Sequence, residues 1–260
     1  MAINKTSPIP LYFQLAEHLR GQIELGQLRP GEQLPSEREL GEQWHISRMT
    51  ARQAIMYLVR QGRLLVRPGI GTFVAEPKLT HDTLHLLGFT EEMLRSGQAP
   101  SSQVLEQSLA VPPARVAADL NLAAGQPAVK IVRLRLSHAE PLLLETVFVP
   151  AHLAPGLEHL DLSQASLYAL LEQPFELALD HARQSLEVTA ASEDEALLFG
   201  IPAGTSMLVL EGVTYTADEQ PVEAFKALYL GQKFTFTLES QRDNGLGASQ
   251  PRLSVVLRGN

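Results

Sequence analysis

Two sets of arginines carry spacings that suit chemistry. Arg133 and Arg135 alternate with Val132, Leu134 and Leu136, and in an extended strand that spacing sends both guanidiniums to one face. With a hairpin turn near Ala139, Glu145 falls opposite Arg133 on the same face. Two guanidinium forks converging there suit a phosphate or a carboxylate, which arginine grips through paired N–H donors. Ser166 stands at a predicted helix start, where free backbone N–H groups favour an anion. The same residues also fit a solvent-facing Arg/Glu ladder, and periodicity leaves both readings open.

The second set lies on a predicted helix opened by Ser47. Its Ala51, Ala54, Ile55 and Leu58 share one face at 3.6-residue spacing, while Arg48, Met49, Arg52, Gln53 and Arg60 occupy the other. A preceding short helix, running to about Gln43, starts at a capping box formed by Ser36 and Glu39. Only Trp44-His45-Ile46 separates the two, so the pair reads as a helix-turn-helix whose second helix enters the DNA major groove. An arginine fork reads guanine and a glutamine reads adenine, each good bidentate contact discriminating by about 1–3 kcal/mol. Leu64–Arg67 and Thr72–Val74 then form a β-hairpin wing around Pro68-Gly69-Ile70-Gly71. Glycines at such a tip let the backbone approach phosphates or the minor groove closely.

These groups need elements to hold them, and 260 residues allow two domains with real cores. Residues 1–76 hold nine Lys and Arg against seven Asp and Glu, a net of +2 in a chain whose net charge is −8. A mildly basic head on an acidic body fits a localised DNA footprint and argues against nonspecific DNA packaging. The absence of cysteine excludes disulfides and thiolate metal sites. No stretch approaches 18 apolar residues and no signal pattern opens the chain, so a cytoplasmic protein with no membrane partner is expected. Leu11, Leu15 and Leu19 place a core-facing helix between Ile9 and Leu25. Residues 77–85 read as a linker. His81 and His85 lie one helical turn apart in it, but with no third ligand nearby a solvated linker helix is the plainer reading.

From Leu86 onward, strands are predicted at Gln103–Ala110, Pro127–Leu136, Leu142–Val149, Ala182–Ala190, Met207–Tyr215 and Val222–Leu230. Helices are predicted at Ser166–Glu172 and Ser192–Leu198. Consecutive strands with few helices indicate an α+β domain on an antiparallel sheet over residues 86–243. The turns HAEP and DEQP, ending at Pro141 and Pro221, suggest two similar hairpins. Residues 244–260 form a tail in which Leu253–Leu257 could add an edge strand.

LPSEREL, ISRMTARQAI and GIGTFV together resemble the winged DNA-binding domain of GntR-family bacterial transcription regulators, over about residues 8 to 76. The resemblance implies DNA contacts from Arg38, Ser47, Arg48, Thr50, Arg52 and Gly69. His45 replaces the family's usual turn glycine, and Ile70 a usual basic wing residue. GFTEEM at Gly88, RLRL at Arg133, EPLLLETVFVP around Glu145, ASLYALLE at Ser166 and PVEAFKALYL resemble the UTRA effector-binding domain of the HutC subfamily, related in fold to chorismate lyase. The double arginine is most similar to members that respond to amino-sugar phosphates. That resemblance implies a phosphate held by Thr90, Arg133, Arg135, Ser166 and Tyr168, and a sugar approached by Glu145, Glu223 and Tyr229. Gln173-Pro174-Phe175 and Gly231-Gln232-Lys233-Phe234 depart from the usual family sequence.

The resulting expectation is a homodimeric transcription regulator, repressing rather than activating. It would bind double-stranded operator DNA and be controlled by a small anionic effector such as a sugar phosphate or amino-sugar phosphate. A carboxylate metabolite is the alternative effector. A chorismate-lyase-like enzyme is the rival class, but no nucleophile, acid/base pair or metal set is evident, so no catalytic residue, metal or cofactor is expected.

Overall fold

The structure, a computed structural model, describes residues 3–76, 78–82 and 86–237. It divides into two compact units, Met1–Lys78 and Leu79–Asn260.

The first unit contains α1 (Leu11–Glu24), α2 (Glu37–Trp44), α3 (Arg48–Arg60), β1 (Leu64–Arg67) and β2 (Gly71–Val74). Local chemistry sets each start. The Ser36 hydroxyl accepts from the Glu39 N–H at 3.3 Å while the Ser36 N–H donates to the Glu39 carboxylate at 2.8 Å, so the capping box opens α2. Ser47 caps α3 by accepting from the Thr50 N–H at 3.0 Å. The core joins Leu15 and Leu19 of α1 and Leu40 of α2 to Ala51, Ala54, Ile55 and Leu58 of α3 and to Leu64 and Val74 of the wing. β1 and β2 pair antiparallel from Leu64 opposite Val74 to Arg67 opposite Gly71. Gly69 has φ 74° and Gly71 φ 151°, both in the region glycine favours, and Gln33 Nε2 braces the tip by donating to the Ile70 carbonyl at 3.2 Å.

The second unit is α+β. Its six-stranded sheet takes the order β4-β5-β6-β9-β8-β7, where β4 is Pro100–Ala110, β5 Ala128–Ser137, β6 Glu140–Pro150, β7 Leu179–Ala190, β8 Ser206–Thr216 and β9 Pro221–Leu230. All of its pairings are antiparallel. The β5–β6 and β8–β9 hairpins flank the sheet centre as two similar units. Each register shifts beside the turn proline, Leu136 facing Pro141 in one and Tyr215 facing Pro221 in the other. The β5–β6 turn uses His138 and Ala139, both at positive φ, which suits the twist of a tight hairpin.

Helices α4 (Phe89–Arg95), α5 (Ala114–Asp119), α6 (Leu167–Glu172) and α7 (Glu193–Phe199) accompany this sheet. The expectation for residues 77–85 needs correction. Residues 79–82, read as linker and solvated helix, form a strand, β3 (Leu79–Asp82), paired in parallel with β10 (Phe234–Thr237). The pairing supplies partners for backbone groups that a solvated linker would leave to water, and Leu79 packs beside Phe236 in an apolar cluster. His85 and the strand expected at Leu253–Leu257 lie outside the described residues.

His45 closes the α2–α3 turn in the left-handed conformation, φ 51° and ψ 45°. A side chain there costs about 1 kcal/mol that glycine avoids. His45→Gly should therefore raise the unfolding midpoint of this unit by about 4–8 °C, followed in the full chain through the fluorescence of Trp44, its sole tryptophan. An unchanged or lowered midpoint contradicts the strain.

Candidate functional site

Strand pairing builds the centre of the second unit. Arg133 on β5 is opposite Glu145 on β6, and Arg135 follows two residues on, so both guanidiniums reach one carboxylate oxygen. Arg133 Nε and Nη2 donate to Glu145 Oε2 at 3.0 and 2.5 Å, and Arg135 Nη1 lies 3.4 Å from the same atom. Arg135 Nη2 also donates to Thr90 Oγ1 at 2.8 Å, and its guanidinium covers the Phe89 ring at 4.5 Å. Both residues of α4 thus orient this arginine. With 1% and 2% of their surface exposed, Arg133 and Arg135 are not the solvent-facing ladder that periodicity also allowed. Arg133 Nη1 and Arg135 Nε are buried without a hydrogen-bond partner, and buried donors left in that state are rare and costly.

A cavity of about 240 Å³ opens over this cluster. Its lining includes every position expected to hold a ligand: Thr90, Arg133, Arg135, Glu145, Ser166, Tyr168, Glu223 and Tyr229. The Ser166 hydroxyl caps α6 by accepting from the Ala169 N–H at 3.3 Å. Thr214, which the sequence reading missed, donates to Glu223 at 2.9 Å and lies 3.2 Å from the Tyr168 hydroxyl. It sits opposite Glu223 in the β8–β9 register because the register shifts between Thr214 and Tyr215; counting outward from the DEQP turn without that shift puts Val222 there instead. Glu92 of α4, together with Asp180 and His181 of β7, also lines the cavity, and nothing in their local sequence marks them. Tyr229 packs edge-on against Phe234 and Phe236 of β10 at 4.8 and 5.2 Å.

Burial and neighbouring charge tune these groups in opposite senses. Burial pushes the Glu145 carboxyl up, but the two guanidiniums outweigh it and leave the carboxyl below its ordinary value. Burial lowers Arg135 to about 10 against the pull of Glu145. Glu223 is pushed up to about 7, chiefly by burial, with the Glu145 charge adding to the shift and its Tyr168 and Thr214 hydrogen bonds opposing it. Burial also raises Tyr168, with the Glu223 charge second. The cavity therefore offers guanidinium donors beside carboxylate acceptors, an arrangement for a ligand carrying both an anion and hydroxyl or ammonium groups.

On the first unit, Arg38, Arg48 and Arg52 are exposed at 77%, 72% and 59% of their side chains. Ser47 and Thr50 interact with each other at the start of α3, their hydroxyls 2.8 Å apart. Gly69 stands at the wing tip with open space around it, beside Ile70 at 66% exposure. The positions expected at DNA therefore lie on α2, at the start of α3 and along it, and at the wing, with the three arginines among them exposed to solvent.

The raised Glu223 value has a stability consequence. Between an unfolded-chain value near 4.5 and a folded value of about 7, the folded protein holds the proton that the unfolded chain has released. Stability then falls as pH rises through that window, by about 1.4 kcal/mol per pH unit at most. Glu223→Gln should remove this loss, so its denaturation midpoint relative to the parent rises between pH 5 and pH 8. A difference that stays flat across the window contradicts the buried, proton-holding state.

Both units have counterparts among known proteins. Residues 11–74 match the family described as bacterial regulatory proteins, gntR family, and residues 95–235 match the UTRA domain. Over 236 residues the chain is 39% identical to the HTH-type transcriptional repressor NagR of Bacillus subtilis, covering 91% of this chain and 97% of that protein. It is 28% identical to the mannosyl-D-glycerate transport/metabolism system repressor MngR of Escherichia coli, covering 90% and 97%. The crystal structure of PhnF from Mycobacterium smegmatis superimposes with a TM-score of 0.61 at 29% identity, covering 88% of this chain and 99% of that one. A winged helix-turn-helix followed by a UTRA domain is the arrangement of the HutC type, and the chain belongs to the GntR family as a DNA-binding transcription regulator of that type.

Proposed function

We propose that this regulator is a homodimeric repressor released from operator DNA by a small anionic effector, a sugar phosphate or amino-sugar phosphate, bound in the second-unit cavity. One observation carries the effector class: two fully buried guanidiniums share a single carboxylate oxygen and still leave an N–H each without a partner. A phosphate supplies the missing acceptors, and Thr90 stands beside it as a further polar contact. Glu145, Glu223 and Glu92 accept from sugar hydroxyls or hold an ammonium on the other side. The protein binds this ligand without turning it over.

Arg38, Ser47, Arg48, Thr50, Arg52 and Gly69 meet DNA, with one winged head on each half-site of a short palindrome. Release then needs the effector to favour a second arrangement of the heads. Moving a population from nearly all bound to nearly all free takes a differential affinity of about 5.5 kcal/mol. A path for that signal starts at Tyr229 and Phe89, which line the cavity and share an apolar cluster with Leu79, the first residue after the winged unit.

The test begins with in vitro selection of the operator and a thermal-shift screen of sugar phosphates, amino-sugar phosphates and organic acids. A stabilising phosphate ester that lowers operator affinity supports the proposal; stabilisation by carboxylates alone points to a carboxylate effector, and product formation to an enzyme. Arg48→Ala or Arg52→Ala should weaken operator binding by roughly 5- to 150-fold, the range of about 1–3 kcal/mol per bidentate contact, and leave ligand binding intact. Arg133→Ala should do the reverse, holding the operator in the presence of effector. Because it strands the buried Glu145 and risks about 3–5 kcal/mol of stability, Arg135→Lys serves beside it. Unchanged effector affinity in both variants overturns the cradle.

A further inference from the structure

Glu37, the first residue of α2, bridges the two exposed arginines of α3. Arg48 Nε donates to Glu37 Oε2 at 3.0 Å, and Arg52 Nε lies 3.9 Å from Glu37 Oε1. The Glu37 side chain is only 27% exposed, against 72% and 59% for the arginines. The carboxylate is therefore the seated member of the trio, and the guanidiniums hang from it. Arg38, by contrast, approaches Glu42 at 3.9 Å within its own helix, with both side chains at least 70% exposed.

We infer that Glu37 is a positioning residue for sequence reading, acting through Arg48 and Arg52. The inference rests on the proposal that those two arginines read DNA. Its physical basis has two parts. The first is orientation. An arginine whose Nε is held by a carboxylate keeps both Nη groups for a bidentate contact, and its planar fork gives up less freedom on binding a guanine edge. Arg48 and Arg52 stand one helical turn apart, where like charges repel, and a carboxylate between them relieves that repulsion. The second is discrimination. Free arginines engage any phosphate, and phosphate binding supplies nearly all nonspecific affinity. A carboxylate fixed beside the two cations offsets part of that attraction on every sequence, while a correctly placed guanine still receives both donors. Glu37 thus trades raw affinity for selectivity.

Full-length protein is measured by fluorescence anisotropy on its selected operator and on a scrambled duplex of equal length, across a salt series. Glu37→Gln keeps size and an acceptor but removes the charge. Scrambled-DNA affinity should rise, its log–log salt slope should steepen by up to about 0.9 as one more phosphate is engaged, and the operator-to-scrambled ratio should fall about tenfold, within the range of one bidentate contact. Glu37→Asp keeps the charge and loses the reach. Operator affinity should fall while scrambled-DNA affinity holds. A purely structural role predicts otherwise: both variants lower the unfolding midpoint, both affinities drop in parallel and the ratio stays put, which overturns the inference. Arg48→Ala run alongside separates the failures. If it also leaves operator affinity unchanged, the DNA-contact proposal has failed. If it weakens the operator while the Glu37 variants keep the parent ratio, only the inference about Glu37 has failed.

Discussion

One carboxylate oxygen, Glu145 Oε2, holds two guanidiniums in the middle of a sheet with almost no access to water. Bringing three charges out of solvent costs several kcal/mol each even after relaxation, and their mutual attraction repays it only where geometry is good and the remaining donors are satisfied. Here they are not all satisfied, because Arg133 Nη1 and Arg135 Nε lack partners. The hairpin register that sets Arg133 opposite Glu145, the Phe89 ring under Arg135 and the Thr90 hydroxyl all hold this arrangement in place. Replacing the trio with leucines would pack more cheaply. A buried excess of donors is the feature that supports the proposed anion site.

The winged unit uses arginine under the opposite condition. Arg48 and Arg52 sit in water, where an ion pair to Glu37 is worth about 1 kcal/mol or less and weakens with salt. Burial therefore separates the two arginine sets: the exposed set suits many weak, salt-sensitive contacts to a polyanion, and the enclosed set suits few strong contacts to one small anion, as proposed above. The acidic balance beyond the basic head is consistent with confining DNA attraction to α3 and its surroundings.

Much of this was legible because it rests on short-range rules. The capping boxes of Ser36 with Glu39 and of Ser192 with Glu195, the helical spacing of Ala51, Ala54, Ile55 and Leu58, and the period-two alternation around Arg133 are local signals, and each produced the expected element. A hairpin centred near Ala139 puts Glu145 opposite Arg133, and the positive-φ turn at His138 and Ala139, with a register shift between Arg135 and Leu136, delivers that pairing. What escaped depends on distant partners. Strand periodicity says which face Arg135 takes but not that α4 covers it. The four-residue strands β3 and β10 lie more than 150 positions apart in sequence and have no meaning until paired. Asp180 and His181 reach the cavity only because β7 closes the far edge of the sheet.

The central claim is that the two orphaned guanidinium N–H groups await an anion. A crystal structure of the protein with a stabilising sugar phosphate tests it most directly. The account predicts anion oxygens within about 3 Å of Arg133 Nη1 and Arg135 Nε, the usual N–H···O distance. Anion density elsewhere in the protein, with both guanidiniums still turned only to Glu145 and Thr90, would contradict it.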